Sequence, residues 1–290
     1  MTTYMVVPVT PDTPEWEAER RNSIGASDVP NILNLPGAYG TPLEVYHSKI
    51  GIDRPFDQDR ADIGHWLETV MQWWIEKRHP EVGPITPGFM ARSIPYPHIH
   101  ATFDRMAGDI PVQMKSMHYF MKSDWNGGAP LHVQAQVQTE IAVAGSVGAW
   151  LVAFIGGVEF RLIWIERDPG FMARALPRLE RFWLMVQDRT PPEPVYSAEA
   201  TELWPTSNER FLDVGFERAQ HLIDDYDRYR ELQDEAKAAN DDLERIALRW
   251  KCVMRDDYDS VGLEGQPFFT WRTNSAGVRP FNRNHVKENK

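Results

Sequence analysis

The reading turns on residues 99–116, IHATFDRMAGDIPVQMKS. Ile99 to Asp104 reads as a strand that ends at an acid. Pro111 to Ser116 reads as a second strand, reached through the turn-forming Ala107-Gly108-Asp109. Side chains alternate along a strand, so Gln113 and Lys115 lie on one face. An Asp at the end of one strand with a Lys on the next suits phosphate chemistry. The carboxylate can hold a divalent cation, which polarises a phosphate and acidifies a bound water. The ammonium can orient that water or offset the developing negative charge. On spacing alone the same residues also read as a surface turn with an ordinary lysine.

Upstream, prolines punctuate short β-like pieces from Val82 to Ala107, and Ala61 to Arg78 reads as a helix carrying Ile63, Leu67, Val70, Trp74 and Glu68. Thr41 caps a further helix with Pro42 in its first turn. Ser27-Asp28 opens another through Val29, Ile32 and Leu33, with Ser27 or the residue before it as N-cap. Glu15 to Arg21 is a short amphipathic helix, and the first dozen residues read as an extended arm without a secretory leader. Downstream, Leu131 to Ala144 is a helix with Val133, Val137 and Ile141 on one face. Ile141 to Val158 runs 18 residues without a charge, the length of a membrane span. Gly145, Gly148, Gly156 and Gly157 break that run, and it reads instead as a helix end followed by a core hairpin with Gly156-Gly157 at its turn. Phe171 to Val186 is the next helix.

The stiff segment Thr190-Pro-Pro-Glu-Pro194 marks a boundary, giving a core of 1–192 and an extension of 193–290. In the extension, Asn208 to Trp250 reads as a long helix or helical hairpin. Leu222, Tyr229, Ala236, Leu243 and Trp250 recur every seven residues, but the companion positions are only half apolar, which fits a helix packed on a neighbour better than a strong coiled coil. Pro267 to Phe281 reads as a small β-hairpin. Across 290 residues, 31 Lys and Arg against 42 Asp and Glu give a net charge of −11, which excludes a histone-like polyanion binder but not a local basic channel. The one cysteine, Cys252, excludes an internal disulfide framework and a cysteine-cluster zinc site, and fits a reducing compartment.

The segments IGASDVPNIL, TPLEVY, GHWLE, ATFDRM, VQMKS, VQAQVQTEIAVAG and FRLIWIERD occur in that order between residues 24 and 168. As an ordered set they resemble the phage YqaJ-type recombinase exonucleases, relatives of lambda exonuclease within the PD-(D/E)XK nuclease superfamily, over about residues 14 to 190. The resemblance implies an α/β fold: a mixed central sheet flanked by helices on both sides, with a mainly helical C-terminal extension. It implies a metal-dependent exonuclease that degrades one strand of double-stranded DNA ends 5′→3′, leaving 3′ single-stranded tails for recombination. The implied cofactor is Mg2+, or Mn2+ in its place, as two ions per site. The implied partners are a trimeric ring of the chain itself and a single-strand annealing protein, with no membrane, in the cytoplasm of a bacterial host.

Roles carry onto matching positions. Asp104 corresponds to the metal-ligand aspartate and Lys115 to the catalytic lysine. Glu68 matches an acid approaching the metals from a helix, and Gln136 a glutamine that contacts the reacting phosphate or water. Arg20, Ser27 and Thr102 lie where the family grips the 5′-phosphate. Two positions depart from the pattern. Phe103 replaces a proline that binds no metal, and Gln113 replaces the acid of E-x-K. A glutamine oxygen can ligate a cation but brings no charge, whereas hard cations prefer carboxylates. Either this branch works with Gln113, with Asp109 or Glu68 completing the shell, or the residue is an inactivating change, or the nuclease is naturally weak. The alternatives in function are a DNA-end-binding module with little or no cutting, and an endonuclease of the same superfamily.

Overall fold

The computed structural model describes residues 3–284 except 12, 53–56, 208–209, 214 and 264–265. The chain divides into two compact units, Met1–Thr206 and Ser207–Lys290. The division falls beyond the proline-rich segment at 190–194. The reason lies in α7 (Ser197–Leu203), whose buried Glu199 accepts hydrogen bonds from Thr41 Oγ1 (2.5 Å) and Val195 N–H (2.7 Å) and so belongs with the first unit.

The remaining elements of the first unit are α1 (Pro14–Arg21), α2 (Val29–Ile32), α3 (Pro42–Ile50), α4 (Gln58–Arg78), α5 (Leu131–Ala144) and α6 (Pro169–Gln187). Its strands are β1 (Tyr4–Val7), β2 (Ile24–Gly25), β3 (Ile85–Pro87), β4 (Met90–Ser93), β5 (Ile99–Thr102), β6 (Arg105–Ala107), β7 (Ile110–Met117), β8 (Gly148–Ile155) and β9 (Glu159–Glu166). They form a five-stranded mixed sheet, β3-β6-β7-β8-β9, and a four-stranded one, β1-β4-β5-β2. β7 and β8 are parallel and joined through α5, a strand–helix–strand crossover.

The expected α/β architecture, with helices on both faces of the larger sheet, is present. On one face, Val133, Val137 and Ile141 of α5 pack on Ala149, Leu151 and Ala153 of β8. On the other, Met71 and Ile75 of α4 pack on Val112, Met114 and Val152. Each fully buried Ile or Leu in these layers contributes roughly 1.5–3 kcal/mol. β8 is apolar on both faces because both are covered. The β8–β9 hairpin turns on Gly156 and Gly157, both at positive φ (60° and 74°). α3 begins with the expected Thr41 cap, a reciprocal pair in which Thr41 Oγ1 accepts from Glu44 N–H and Glu44 Oε2 accepts from Thr41 N–H.

The extended N-terminal arm is present and runs in part as strand β1, paired with β4. The helix at Ser27 is a single 3-10 turn, Ala26–Asp28, followed by the four-residue α2; Gly25, not Ser27, is its N-cap, and the Asp28 carboxylate takes the Gly25 N–H (2.8 Å). The apolar stripe on α4 is split. Leu67, Met71, Trp74 and Ile75 face the sheet, whereas Ile63 and Val70 are exposed with Trp66 and Trp73.

Ile99–Asp104 and Pro111–Ser116 are not neighbours in one sheet. β5 belongs to the smaller sheet and β7 to the larger, where β7 pairs with β6. Phe103 and Asp104 form the bend between β5 and β6, opposite Gly88 and Phe89 between β3 and β4. The two bends are tied by Gly88 N–H to Asp104 C=O and Phe103 N–H to Phe89 C=O.

The second unit contains α8 (Gly215–Met254) and an antiparallel sheet of β10 (Ser260–Leu263), β11 (Gln266–Trp271) and β12 (Phe281–Arg283). α8 is one helix rather than a hairpin. Asn208, where the helix was expected to begin, lies outside the described residues. Of the sevenfold positions, Leu222, Tyr229 and Leu243 are exposed, while Trp250 meets Phe269 of the sheet. The expected hairpin has a third strand.

At Gly88 any side chain would collide with backbone, since a Cβ there falls 1.7 Å from the Phe103 carbonyl oxygen. Gly88→Ala is therefore expected to destabilise the protein by at least about 3 kcal/mol in chemical denaturation. A loss under 1 kcal/mol would mean that the two bends do not abut.

Candidate active site

Asp104 stands at the junction of the two sheets. Its Oδ2 accepts from the backbone N–H of Met114 (2.7 Å) and from Gln113 Nε2 (2.6 Å), so its carboxylate is fastened to the middle of β7. Gln113 is buried; its Oε1 accepts from Gln136 Nε2 (3.3 Å), and Gln136 also donates to Glu140 Oε1 (2.9 Å) one turn along α5. From α4, Glu68 pairs with Arg105 (3.1 Å), whose guanidinium also reaches Gln72 Oε1 and the Asp104 carbonyl.

Asp104, Gln113, Met114, Gln136, Glu140 and Glu68 line one cavity of about 250 Å3 with Lys115, Thr102, Arg20, Ser27, His65 and His100. An adjoining cavity of about 520 Å3 shares His65, Glu68, Met114 and Lys115. Every site residue expected from the sequence, Arg20, Ser27, Glu68, Thr102, Asp104, Gln113, Lys115 and Gln136, thus faces a single space. Asp109 does not; it sits in the exposed turn between β6 and β7.

The electrostatics are those of crowded acids. Burial pushes the Asp104 carboxyl up, against the pull of Lys115 and the Met114 N–H. Burial and then the charge of Asp104 push Glu68 up, against Arg105. Glu140 is pushed up to about 8 by burial first and Asp104 second. The donors gathered around Asp104 are oxygens: Asp104, Glu68, Glu140 and the Gln113 carbonyl. That chemistry, with negative charge that Lys115 and Arg105 do not fully offset, fits a hard cation. Among the described residues no three His, Cys, Asp or Glu side chains form a ready cage. Gln113 turns its NH2 towards Asp104, so service as a ligand requires its amide to turn over, an O/N choice that the hydrogen-bond network alone assigns.

Arg20, Ser27 and Thr102 furnish the other wall. The Arg20 guanidinium lies over the Trp16 ring, 4.5 Å from its centroid, while the neighbouring Glu19 pairs with Arg92. Beneath them is a buried ion pair, Asp28 with Lys49 at 2.6 Å. Lys49 also donates to the Arg20 carbonyl (2.7 Å), and Asp28 holds the Gly25 N–H, so one pair fixes both ends of the segment from 20 to 28. Breaking such a pair from one side costs about 3–5 kcal/mol. His100 is buried against Ser23 Oγ (2.8 Å); burial first, then Lys49, lowers its pKa to about 3, so it stays neutral.

Sequence reasoning missed Glu140, Trp16, His65 and the Asp28–Lys49 pair. Glu140 had a legible signal, because it lies four residues after Gln136 and so shares its helix face. The Asp28–Lys49 pair joins separate elements and has no local signature.

Residues 15–147 match the YqaJ-like viral recombinase domain family. The fold is similar to that of an alkaline exonuclease (LHK-Exo) from Laribacter hongkongensis, with TM-score 0.51 and 18 % identity over 61 % of this chain and 94 % of that one. LHK-Exo in complex with dAMP gives TM-score 0.52 at the same identity and coverage. No curated protein matches the sequence.

Glu140 gives the site a pH signature. Below its ordinary 4.5 it is protonated folded and unfolded; between 4.5 and about 8 only the unfolded chain ionises, so stability falls as pH rises. The slope reaches about 1.4 kcal/mol per pH unit and ends above the folded pKa. In chelator-containing buffer, Glu140→Gln is expected to remove this loss, leaving the variant more stable than the parent at pH 8 and little different at pH 4.5. Parallel denaturation profiles from pH 4.5 to 8 would contradict the assignment.

Proposed function

From the match of residues 15–147 to the YqaJ-like viral recombinase domain family, we propose that the chain is a metal-dependent exonuclease. In this reading it works 5′→3′ on double-stranded DNA ends and leaves 3′ single-stranded tails for recombination. The observation that carries the reading is the convergence of an acid-lined wall and a cationic wall on one cavity. A divalent cation, Mg2+ or Mn2+, when bound, polarises a phosphoryl oxygen and acidifies a water. Asp104, Glu68 and Gln113 would hold it, one ion or two. Lys115, on the same strand face as Gln113, offsets charge on the phosphate as water attacks phosphorus and the bond to the 3′ oxygen breaks. Gln136 orients the phosphate or the water through its amide. Arg20, backed by Trp16, binds the 5′-phosphate with Ser27 and Thr102. The products are a 5′-mononucleotide and a shortened strand.

A trimeric ring and a single-strand annealing partner belong to the same reading and rest on family resemblance alone. Among the described residues no helix is long and apolar enough to cross a membrane. One observation favours a second reading, DNA-end binding with little cutting: a neutral amide, Gln113, occupies Asp104 where an acid was expected.

A digestion assay separates these readings. With Mg2+, linear duplex bearing 5′-phosphates is expected to be degraded and closed circular duplex left intact. Asp104→Asn, which keeps an acceptor for the Met114 N–H, and Lys115→Ala should each lose at least about 10²–10³-fold in rate with the fold retained. Digestion at parental rates by either variant contradicts the site; cleavage of closed circles points to an endonuclease, and no digestion at all to the binding module. The cationic wall has its own test. Linear duplex without 5′-phosphate should be degraded more slowly, and Arg20→Ala should erase that difference. Equal rates on both substrates by the parent protein would remove Arg20, Ser27 and Thr102 from the phosphate site.

A further inference from the structure

Position 113 lines the cavity against Asp104 and brings an amide, not a carboxylate. Its oxygen accepts from Gln136 and its nitrogen holds Asp104, so Gln113 links Asp104 to α5 without adding charge. The next group along that hydrogen-bonded chain is an acid. Gln136 donates to Glu140, which is 1 % exposed and lines the same cavity as Asp104, Gln113 and Lys115.

Buried acids are held by cations or several donors elsewhere in the molecule. Asp28 has Lys49, and Glu199 has Thr41 and the Val195 N–H. Glu140 has the Gln136 amide, and among the described residues no Lys, Arg or His lies at salt-bridge distance from it. A buried carboxyl group escapes the cost of its charge by keeping its proton, and it ionises at neutral pH only where a cation or a metal comes beside it. Helix geometry brings it to the right place: residue 140 lies one turn from 136, on the same face of α5 over β7.

Resting on the cation-assisted reading above, we propose that Glu140 is a further carboxylate ligand of the cation site beside Asp104 and Glu68, supplied from α5 in place of the acid that position 113 lacks. Gln136 then orients Glu140, and Gln113 orients Asp104 and can add no more than a neutral oxygen, all towards one ion. The site keeps its charge while the source of that charge moves from the sheet to the helix. Gln113 is on this account a compensated residue and not an inactivating one.

The test is calorimetric titration of the full chain with Mn2+ and with Mg2+, on protein whose melting in chelator shows it folded. Glu140→Gln keeps size and hydrogen bonding and removes the charge; it is expected to weaken cation affinity by about 10-fold or more. Gln113→Glu combined with Glu140→Gln returns the carboxylate to the strand and is expected to recover most of that loss. Should Glu140→Gln not fold, Glu140→Asp withdraws the charge by one methylene. It is then expected to weaken binding, with recovery on adding Gln113→Glu. Unchanged affinity in Glu140→Gln, beside a lost affinity in Asp104→Asn, overturns the proposal and leaves the cation site standing. A loss that Gln113→Glu fails to restore also overturns it, since the carboxylate would not be interchangeable between the two positions. If Asp104→Asn binds cations like the parent, it is the cation-assisted reading itself that fails.

Discussion

The grip on Asp104 is the contact on which the site depends. Its carboxylate is held by the Met114 N–H and the Gln113 amide, and its carbonyl by Gly88 N–H and Arg105. Those bonds fasten the bend between β5 and β6 to the central strand β7, and so join the smaller sheet to the larger. The bend can form only because Gly88 has no side chain to meet the Phe103 carbonyl. Everything else in the cavity is placed relative to this point: Lys115 one pleat along β7, Gln136 from α5 on one side, and Glu68 from α4 through Arg105.

The two walls of the cavity are built differently because they hold opposite charges. The acidic wall collects carboxylates whose mutual repulsion and burial raise their pKa values, a state that a hard cation relieves. The cationic wall draws its order from an ion pair placed behind it, Asp28–Lys49, so that Arg20 is positioned without being neutralised by that pair. A chain with net charge −11 can present such a local cationic feature while the rest of the surface stays acidic.

Local rules made much of this legible. The period of two placed Gln113 and Lys115 on one face of β7, and the Thr41-Pro42 signature marked the start of α3. The family resemblance assigned Arg20, Ser27, Glu68, Thr102 and Gln136 to one site, and they line one cavity although they lie on separate elements. What the sequence concealed is long-range. The break between β5 and β6 depends on Gly88, remote in the chain, and a strand that changes sheets has no signature of its own. The helix period sets Glu140 on the Gln136 face, but the burial of that acid shows only once β7 is packed beneath it. On α4, two apolar stripes compete, and the sequence does not say which one the sheet will cover.

The claim that this cavity is a cation-assisted phosphodiester site is tested most directly by a crystal structure of the chain soaked with Mn2+, using the metal's anomalous scattering. The account predicts a peak in the cavity at direct bonding distance, about 2.0–2.3 Å, from an Asp104 carboxylate oxygen. A fully loaded crystal with no anomalous peak beside Asp104, or with Mn2+ bound only elsewhere on the surface, would contradict it.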